Sequence, residues 1–159
     1  MADGVTAPAM VARMPDSPGM GHIVVGIDGS EPSLRALAKA IEEAELRSAD
    51  LHVLHATDLS PALLHLPDDV TVDTRDLATD QRTKVWEAAQ PLLEDAGVDV
   101  VRVDGEGSPG RALIDYSAEI GAELVVVGTR GRGRVKSLLL GSTAEDVVNS
   151  GSCDMLLVR

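Results

Sequence analysis

Residues 125–148 read V-V-V-G-T-R-G-R-G-R-V-K-S-L-L-L-G-S-T-A-E-D-V-V. They start in an apolar run typical of a buried strand and continue through a loop rich in glycine and arginine. They end where Ser142 and Thr143 begin a segment of helical periodicity. Glycine lets backbone N–H groups approach an anion, and a helix N-terminus presents unpaired N–H groups at the positive end of its dipole. This order of elements predicts a phosphate-binding loop.

Outside this stretch, apolar runs alternate with segments of helical periodicity. Apolar strands that alternate with helices are typical of a parallel sheet with helices on both faces. We therefore predict an α/β fold, a doubly wound, five-stranded, mainly parallel sheet of the Rossmann-like kind. The predicted strands are residues 22–27, 51–56, 98–103, 124–127 and 155–158, and the predicted helices are 30–44, 77–96, 109–120 and 142–149.

Three segments fall outside this alternation or disturb it. Residues 1–21 have no periodicity and are predicted to be a disordered leader, so that one domain spans 22–159. Residues 57–74 contain two prolines and several aspartates, which predicts a long mobile loop. Pro91 is expected to kink the second helix or to disrupt one of its turns, because proline cannot donate the backbone hydrogen bond of a helix interior.

Composition excludes several classes of function. A formal charge of −12 over 159 residues argues against a broad surface for DNA or for an anionic membrane. With one Trp, one Tyr and no Phe, the chain has few platforms for stacking nucleic-acid bases. A single cysteine and a start without a signal-peptide pattern indicate the cytoplasm. No apolar run approaches the roughly 20 residues of a membrane span.

The basic loop stands out against this acidic background. Arg130, Arg132, Arg134 and Lys136 fall within one seven-residue stretch that has no acid. Such a loop fits a small anionic ligand, but its arginines could equally pair with surface carboxylates, and charge alone does not separate the two interpretations. Ser142 is also ambiguous, because Ser142-Thr-Ala-Glu145 matches a capping box that needs no ligand.

Other motifs are weaker. Residues 131–137 end in Lys-Ser like a P-loop, but Val135 replaces the required glycine. Residues 105–110 match G-x-G-x-x-G without an acid at the end of the next strand, so a loop capped by Ser108 is favoured. His52 and His55 are three residues apart in a strand, which places them on opposite faces and excludes a shared metal.

Asp28 is the carboxylate best placed for a ribose or for a phosphate-bound cation, although Asp-Gly-Ser is also a common turn. It follows the first strand, as residues 56–57 follow the second and Gly128 ends the fourth. In a doubly wound sheet, ligands bind beyond the carboxyl ends of the strands. The three turns are therefore expected to meet in one crevice.

Together these motifs resemble the universal stress protein family. The resemblance rests on I-V-V-G-I-D-G-S-E (23–31), L-H-V-L-H-A (51–56) and G-T-R-G, nine residues, then G-S-T (128–143), and it spans residues 22–159. The glycine spacing is that of the ATP-binding branch. One departure is Asp154, where the family usually has a proline after the cysteine.

The resemblance implies a nucleotide site and a homodimer joined through residues 155–158. It implies ATP as the ligand, with Mg accompanying its phosphates near Asp28. AMP or a cyclic nucleotide stays open, because the adenine contacts are mostly backbone. The implied contacts are Gly26 and Asp28 at the ribose, Ala56 at the adenine, Gly128 and Thr129 at the ribose, and Arg130, Gly131, Arg132, Gly133, Arg134, Gly141, Ser142 and Thr143 around the phosphates.

The leading hypothesis is therefore a cytoplasmic ATP-binding regulatory protein that acts as a nucleotide-dependent switch in a stress response. We expect slow or no hydrolysis, since no residue stands out as a base for water attack. Two alternatives stay open. One is a nucleotidyl or phosphoryl transferase that uses the same crevice. The other is a ligand-free module whose basic loop docks an unknown protein partner.

Overall fold

A computed structural model describes residues 21–59, 73–129 and 140–159. The predicted leader, most of the predicted 57–74 loop and the basic loop 130–139 lie outside these ranges. Strands and helices alternate along the described chain. The strands are β1 (His22–Gly26), β2 (Asp50–Thr57), β3 (Val100–Glu106), β4 (Leu124–Gly128) and β5 (Asp154–Val158), and the helices are α1 (Glu31–Arg47), α2 (Thr74–Glu94), α3 (Pro109–Ile120) and α4 (Ser142–Ser150).

The five strands form one sheet in the order β3-β2-β1-β4-β5. All four neighbouring pairs are parallel. The chain starts in the middle of the sheet, winds out to β3, returns past β1 and winds out to β5 on the other side. This is the doubly wound arrangement that the sequence predicts, and the sheet is entirely parallel. Its strand order reverses between β1 and β4, where such folds bind their ligands.

The core lies in two layers, one on each face of the sheet. Ile23 and Val25 point towards α1 and α2, where they pack with Leu37 and Val85. Val24, between them, points to the other face and joins the cluster under α3 and α4. Side chains alternate along a strand, so a continuous apolar run supplies both layers at once. This is why the central strands read as unbroken runs of valine and isoleucine.

Helix α1 begins and ends as the sequence predicts. Ser30 is its N-cap, and the Ser30 side chain accepts a hydrogen bond from the backbone N–H of Ser33 at 3.4 Å. Pro32 lies in the first turn, where its missing N–H costs no helical bond. Ser48 ends the helix in the left-handed conformation, with φ of 53°. This start places Asp28 and Ser30 directly above the end of β1.

Strand β3 differs from its prediction. The apolar pattern predicts 98–103, whereas the strand runs from Val100 to Glu106 in register with β2, from Leu51↔Val100 to Thr57↔Glu106. As an edge strand, β3 is only half-covered, so polar residues continue it and the apolar run does not mark its end. Gly105 therefore lies inside a strand and not in a phosphate loop.

Two further expectations concern proline. Helix α2 continues through Pro91 and ends at Glu94. Strand β5 lacks the family's proline, yet Asp154 pairs with Leu124 and the strand stays in register to Gly128↔Val158. The start of β5 therefore does not depend on the missing proline.

In the described part of the chain, no helix is long and apolar enough to cross a membrane.

Candidate functional site

The predicted site residues of the described chain meet at the carboxyl edge of the sheet. Gly26 ends β1 and Asp28 follows it, Ala56 is the last residue but one of β2, and Gly128 ends β4. Because β2, β1 and β4 are neighbours, these ends lie side by side. Thr129 follows β4, and Gly141 and Ser142 begin α4. The predicted arginines and glycines between them, Arg130, Gly131, Arg132, Gly133 and Arg134, lie outside the described residues.

The Asp28 turn is tied to the first turn of α1. The backbone N–H of Ser30 donates to Oδ1 of Asp28 at 2.9 Å, and the N–H of Asp28 donates to Oγ of Ser33 at 3.2 Å. Ser33 in turn donates its hydroxyl to the Ser30 carbonyl at 2.9 Å. Asp28 is thus a turn residue, as the alternative interpretation states. The same bonds fix the orientation of its carboxylate at the crevice.

Two buried polar residues of β2, His55 and Thr57, lie at this edge but are not among the predicted site residues. His55 is 3% exposed, and its Nδ1 lies 3.1 Å from the backbone oxygen of Ile27. A carbonyl oxygen only accepts, so Nδ1 carries the proton and Nε2 is left as an acceptor for the Thr57 hydroxyl at 3.5 Å. The signal in the sequence is a histidine and a threonine at the end of an otherwise apolar strand.

The two described flanks of the glycine-rich loop lie next to each other. The N–H of Thr129 donates to the Val158 carbonyl at 2.8 Å, and the N–H of Gly141 donates to the Thr129 carbonyl at 3.0 Å. Residues 129 and 141 are therefore held together at the end of β4 and beside β5. This contact brings the start of α4 to the carboxyl edge.

Helix α4 begins with backbone groups that suit an anion. Its N-cap is Gly141, and its first helical bond runs from the N–H of Glu145 to the Gly141 carbonyl at 2.9 Å. The N–H groups of Ser142, Thr143 and Ala144 precede that bond, and no side chain of the described residues caps the helix. These N–H groups carry the positive end of the helix dipole.

The capping-box interpretation of Ser142 is wrong. The helix begins one residue earlier than a Ser142 cap requires, so Ser142 occupies the first helical position and Gly141 the cap. An N-cap residue has an extended backbone, which lets its side chain accept from the N–H groups of the first turn. Ser142 has a helical backbone, so its hydroxyl is not placed to do this. Ser108 does occupy the N-cap of α3, but without a side-chain hydrogen bond.

Two of the predicted glycines are closely packed against neighbouring helices. A Cβ on Gly128 would lie 2.9 Å from the backbone carbonyl carbon of Pro32, at the start of α1. A Cβ on Gly26 would lie 2.7 Å from a methyl group of Leu113 on α3. Helices therefore approach the ends of β1 and β4 closely from both faces. A side chain at either position would therefore displace a neighbouring group.

Other polar clusters of the described residues lie elsewhere. His52 lies on the opposite face of β2 from His55, and its Nδ1 is 2.8 Å from the Tyr116 hydroxyl. Among residues 21–59, 73–129 and 140–159, no three His, Cys, Asp or Glu side chains are grouped to hold a metal ion.

A groove of about 540 Å³ between α2 and β3 is lined by a network of its own side chains. The Trp86 indole donates to Asp104 at 2.9 Å. The Arg102 guanidinium lies 5.3 Å from the Trp86 ring centroid and donates to Gln90 at 2.6 Å. Because these groups bond one another, the groove is the weaker candidate for a ligand site.

Comparison with known proteins agrees with this geometry. Residues 20–159 match the profile of the Universal stress protein family. A universal stress protein of Thermus aquaticus is 36% identical over 137 residues, which cover 86% of this chain and 97% of the relative.

Solved structures share the fold. A universal stress protein in complex with cAMP is 26% identical, with a TM-score of 0.58 over 89% of this chain and 98% of the other. The universal stress protein from Archaeoglobus fulgidus in complex with dAMP is 22% identical, with a TM-score of 0.62 over 88% and 98%. With most of its length matched by the family profile, this chain belongs to the universal stress protein family.

Proposed function

We propose that this protein binds an adenine nucleotide, ATP, at the carboxyl edge of the sheet and acts as a nucleotide-dependent switch in a stress response. One observation carries the proposal most: the N–H groups of Ser142, Thr143 and Ala144, which no side chain of the described residues caps, lie at the same edge as the oriented Asp28 carboxylate. The relatives solved with cAMP and dAMP support an adenine nucleotide as the ligand class.

The two halves of the crevice suit the two halves of a nucleotide. The start of α4 provides backbone donors and a positive dipole for phosphate oxygens. The ends of β1 and β2 provide a carboxylate at Asp28 for ribose hydroxyls and main chain at Ala56 for the adenine. In this arrangement the phosphates lie between β4 and α4, and the adenosine lies over β1 and β2.

Magnesium fits this proposal only together with the nucleotide. Mg²⁺ is commonly held by one or two carboxylates plus substrate phosphates, and it keeps several waters. Asp28 supplies one carboxylate, with Oδ1 accepting from Ser30. This donor set suits a cation that arrives on the phosphates and does not suit a site made of protein groups alone.

We expect ATP hydrolysis to be slow or absent. Two titratable groups at this edge are engaged in structural bonds: Asp28 Oδ1 accepts from Ser30, and His55 uses Nδ1 to bond the Ile27 carbonyl. A general base needs a lone pair aimed at the attacking water. Turnover of ATP by the purified protein at roughly 1 per second or faster would contradict this part of the proposal.

The proposal includes a cytoplasmic homodimer joined through β5. Among the described strands, this one pairs only with β4, and its residues from Met155 to Val158 are half-buried. An apolar edge strand tends to pair with another chain. The mass of the purified protein in sedimentation, compared with the 16.6 kDa of one chain, tests the dimer.

The site itself is tested by Gly141→Glu. Gly141 has φ of −68° and ψ of 158°, which any residue adopts, so the variant is expected to fold. Its carboxylate would lie against the phosphates, and we expect ATP affinity measured by calorimetry to fall at least about 100-fold. Ser152→Glu is the matched control, because it adds the same charge at an exposed position beyond the other end of α4.

Nucleotide released by acid from the freshly purified protein and identified by chromatography gives a test without any variant. ATP or AMP in that extract supports the proposal. Unchanged ATP affinity in Gly141→Glu would move the phosphate site elsewhere. A wild-type protein that carries no nucleotide and binds none in calorimetry would leave the ligand-free interaction module as the better account.

A further inference from the structure

A row of hydrogen bonds runs along the carboxyl edge, across the ends of three strands. It starts after β3, where the N–H of Gly107 donates to the Thr57 carbonyl at 3.1 Å. The Thr57 hydroxyl then meets Nε2 of His55 at 3.5 Å, and Nδ1 of His55 meets the Ile27 carbonyl at 3.1 Å. The next residue, Asp28, continues the row through its N–H to Ser33 on α1.

His55 is the link of this row that joins β1 to β2. The backbone pairing of the two strands ends at Gly26↔Leu54, and the N–H of Ile27 still donates to the Leu54 carbonyl at 2.9 Å. Beyond that point the His55 side chain binds the carbonyl of the same residue. Both backbone groups of Ile27 are thereby held by β2, immediately before Asp28.

Burial makes this link hard to replace. His55 is 3% exposed and Ile27, whose carbonyl it bonds, is 5% exposed, so both residues are buried. A buried carbonyl without a donor is unfavourable, and the chain would move to satisfy it. The peptide that would move is the one between Ile27 and Asp28, which sets the position of the Asp28 carboxylate.

We infer that His55 is a positioning residue of the nucleotide site. It holds the peptide before Asp28 in place and, through Thr57, holds the end of β2 beside Ala56. Both groups lie at the adenosine end of the crevice, whereas the phosphate end is built by α4. The inference rests on the proposed function, and it predicts which half of the ligand loses contact when His55 is replaced.

The experiment compares His55→Phe with His55→Asn. Phenylalanine fills the space without a donor, whereas the asparagine amide nitrogen lies near the place of Nδ1. We expect His55→Phe to weaken ATP and AMP by the same factor, about 10-fold, and to leave the affinity for inorganic triphosphate unchanged. His55→Asn should bind ATP within about 3-fold of the wild-type protein.

His52→Phe is the matched control, because it removes the other buried histidine of β2 from the opposite face. We expect it to lower thermal stability and to leave the affinity for ATP unchanged. Affinities are measured by calorimetry at a temperature where circular dichroism shows every variant folded. If His55 had only a structural role, His55→Phe would behave like His52→Phe: its thermal stability would fall and its affinity for ATP would stay unchanged.

Nuclear magnetic resonance of the wild-type protein tests the link if His55→Phe fails to fold. We expect the Nδ1-protonated tautomer of His55, and we expect its Nδ1–H signal to shift when AMP is added while the His52 ring signals stay in place. An Nε2-protonated His55, or equal ATP affinity in His55→Phe and wild type, overturns the inference. Absence of nucleotide binding by the wild-type protein overturns the proposed function itself.

Discussion

The two histidines of β2 mark a difference between the carboxyl edge of the sheet and its amino edge, where the strands begin. His55, at the carboxyl edge, bonds the main chain of Ile27 just before the Asp28 turn. His52, three residues earlier and on the other face, bonds a side chain, the Tyr116 hydroxyl, and its ring centroid lies 5.2 Å from that of His22. Polar groups that bond main chain fix the backbone that a ligand would meet. Polar side chains that bond one another contribute to packing at the amino edge and do not fix the backbone at the ligand site.

Electrostatics favours the uncharged forms of His52 and Tyr116. Burial lowers the pKa of His52, the nearby His22 lowers that pKa further, and Asp50 opposes both. Burial also raises the pKa of the Tyr116 hydroxyl, and Glu119 adds to this rise. Both groups of the pair are thus stabilised in their uncharged forms. The His52–Tyr116 pair is therefore a neutral, structural contact, whose replacement should change stability and leave ligand affinity unchanged.

The largest effect is expected at the carboxyl edge, from Gly128→Ala. The added methyl group would lie 2.9 Å from the Pro32 backbone, and a helix start cannot yield as a side chain can. We expect the free energy of unfolding in urea to fall by about 2–3 kcal/mol and the ATP affinity to fall with it.

Gly26→Ala is the matched comparison for Gly128→Ala, because its methyl group meets only the flexible end of Leu113. We expect a loss of about 1 kcal/mol in that variant. Equal losses in the two variants would show that the start of α1 adjusts as readily as a leucine side chain.

At the amino edge, Tyr116→Phe removes the hydroxyl that bonds His52 and leaves the ring in place. A buried nitrogen left without its partner costs about 1–2 kcal/mol. We expect that loss in urea unfolding, with an unchanged calorimetric affinity for ATP. A drop in nucleotide affinity would break the division between the edges, since it would show that the base of the sheet is coupled to the crevice.

The sequence predicts the bounds of four strands to within one residue and those of β3 poorly, for a physical reason. Strands β1 and β4 are buried on both faces, so their apolar runs end within a residue or two of the strands themselves. Strand β3 lies at an edge and continues through Asp104 and Glu106, which an apolar pattern does not capture. The predicted start of α4 at residue 142 is confirmed. Only the N-cap stays ambiguous in the sequence, because Gly141 and Ser142 both suit that position.

The sequence does not identify the hydrogen-bond partners of the two histidines. The bond between His55 and Ile27 depends on the register of β1 against β2. The bond between His52 and Tyr116 joins residues that are 64 positions apart in the chain. What the sequence does reveal is the polar residue inside an apolar strand. A buried polar group must find a partner, so L-H-V-L-H-A-T predicts that such bonds exist without naming them.

The smallest effect concerns pH and the amino edge. The folded-state pKa of His52 is lowered relative to about 6.5 in the unfolded chain. The unfolded chain therefore takes up a proton first as pH falls. The stability that the neutral His52 contributes is full above pH about 6.5 and is lost as pH falls from there towards the folded-state pKa. The groups that face His52 are His22 on β1, Asp50 on its own strand and Tyr116 on α3.

Urea unfolding at pH 7.5 and pH 5.5 measures this effect. A single histidine that stays neutral in the fold loses at most about 1.4 kcal/mol at one pH unit below its unfolded pKa. We expect the wild-type protein to be less stable at pH 5.5 by up to that amount, and His52→Gln to reduce the difference, because glutamine does not titrate. The same difference in unfolding free energy between the two pH values is measured for His55→Asn, which replaces the histidine at the carboxyl edge. If His52→Gln kept the full difference, the acid sensitivity would belong to another titratable group and not to the burial of His52.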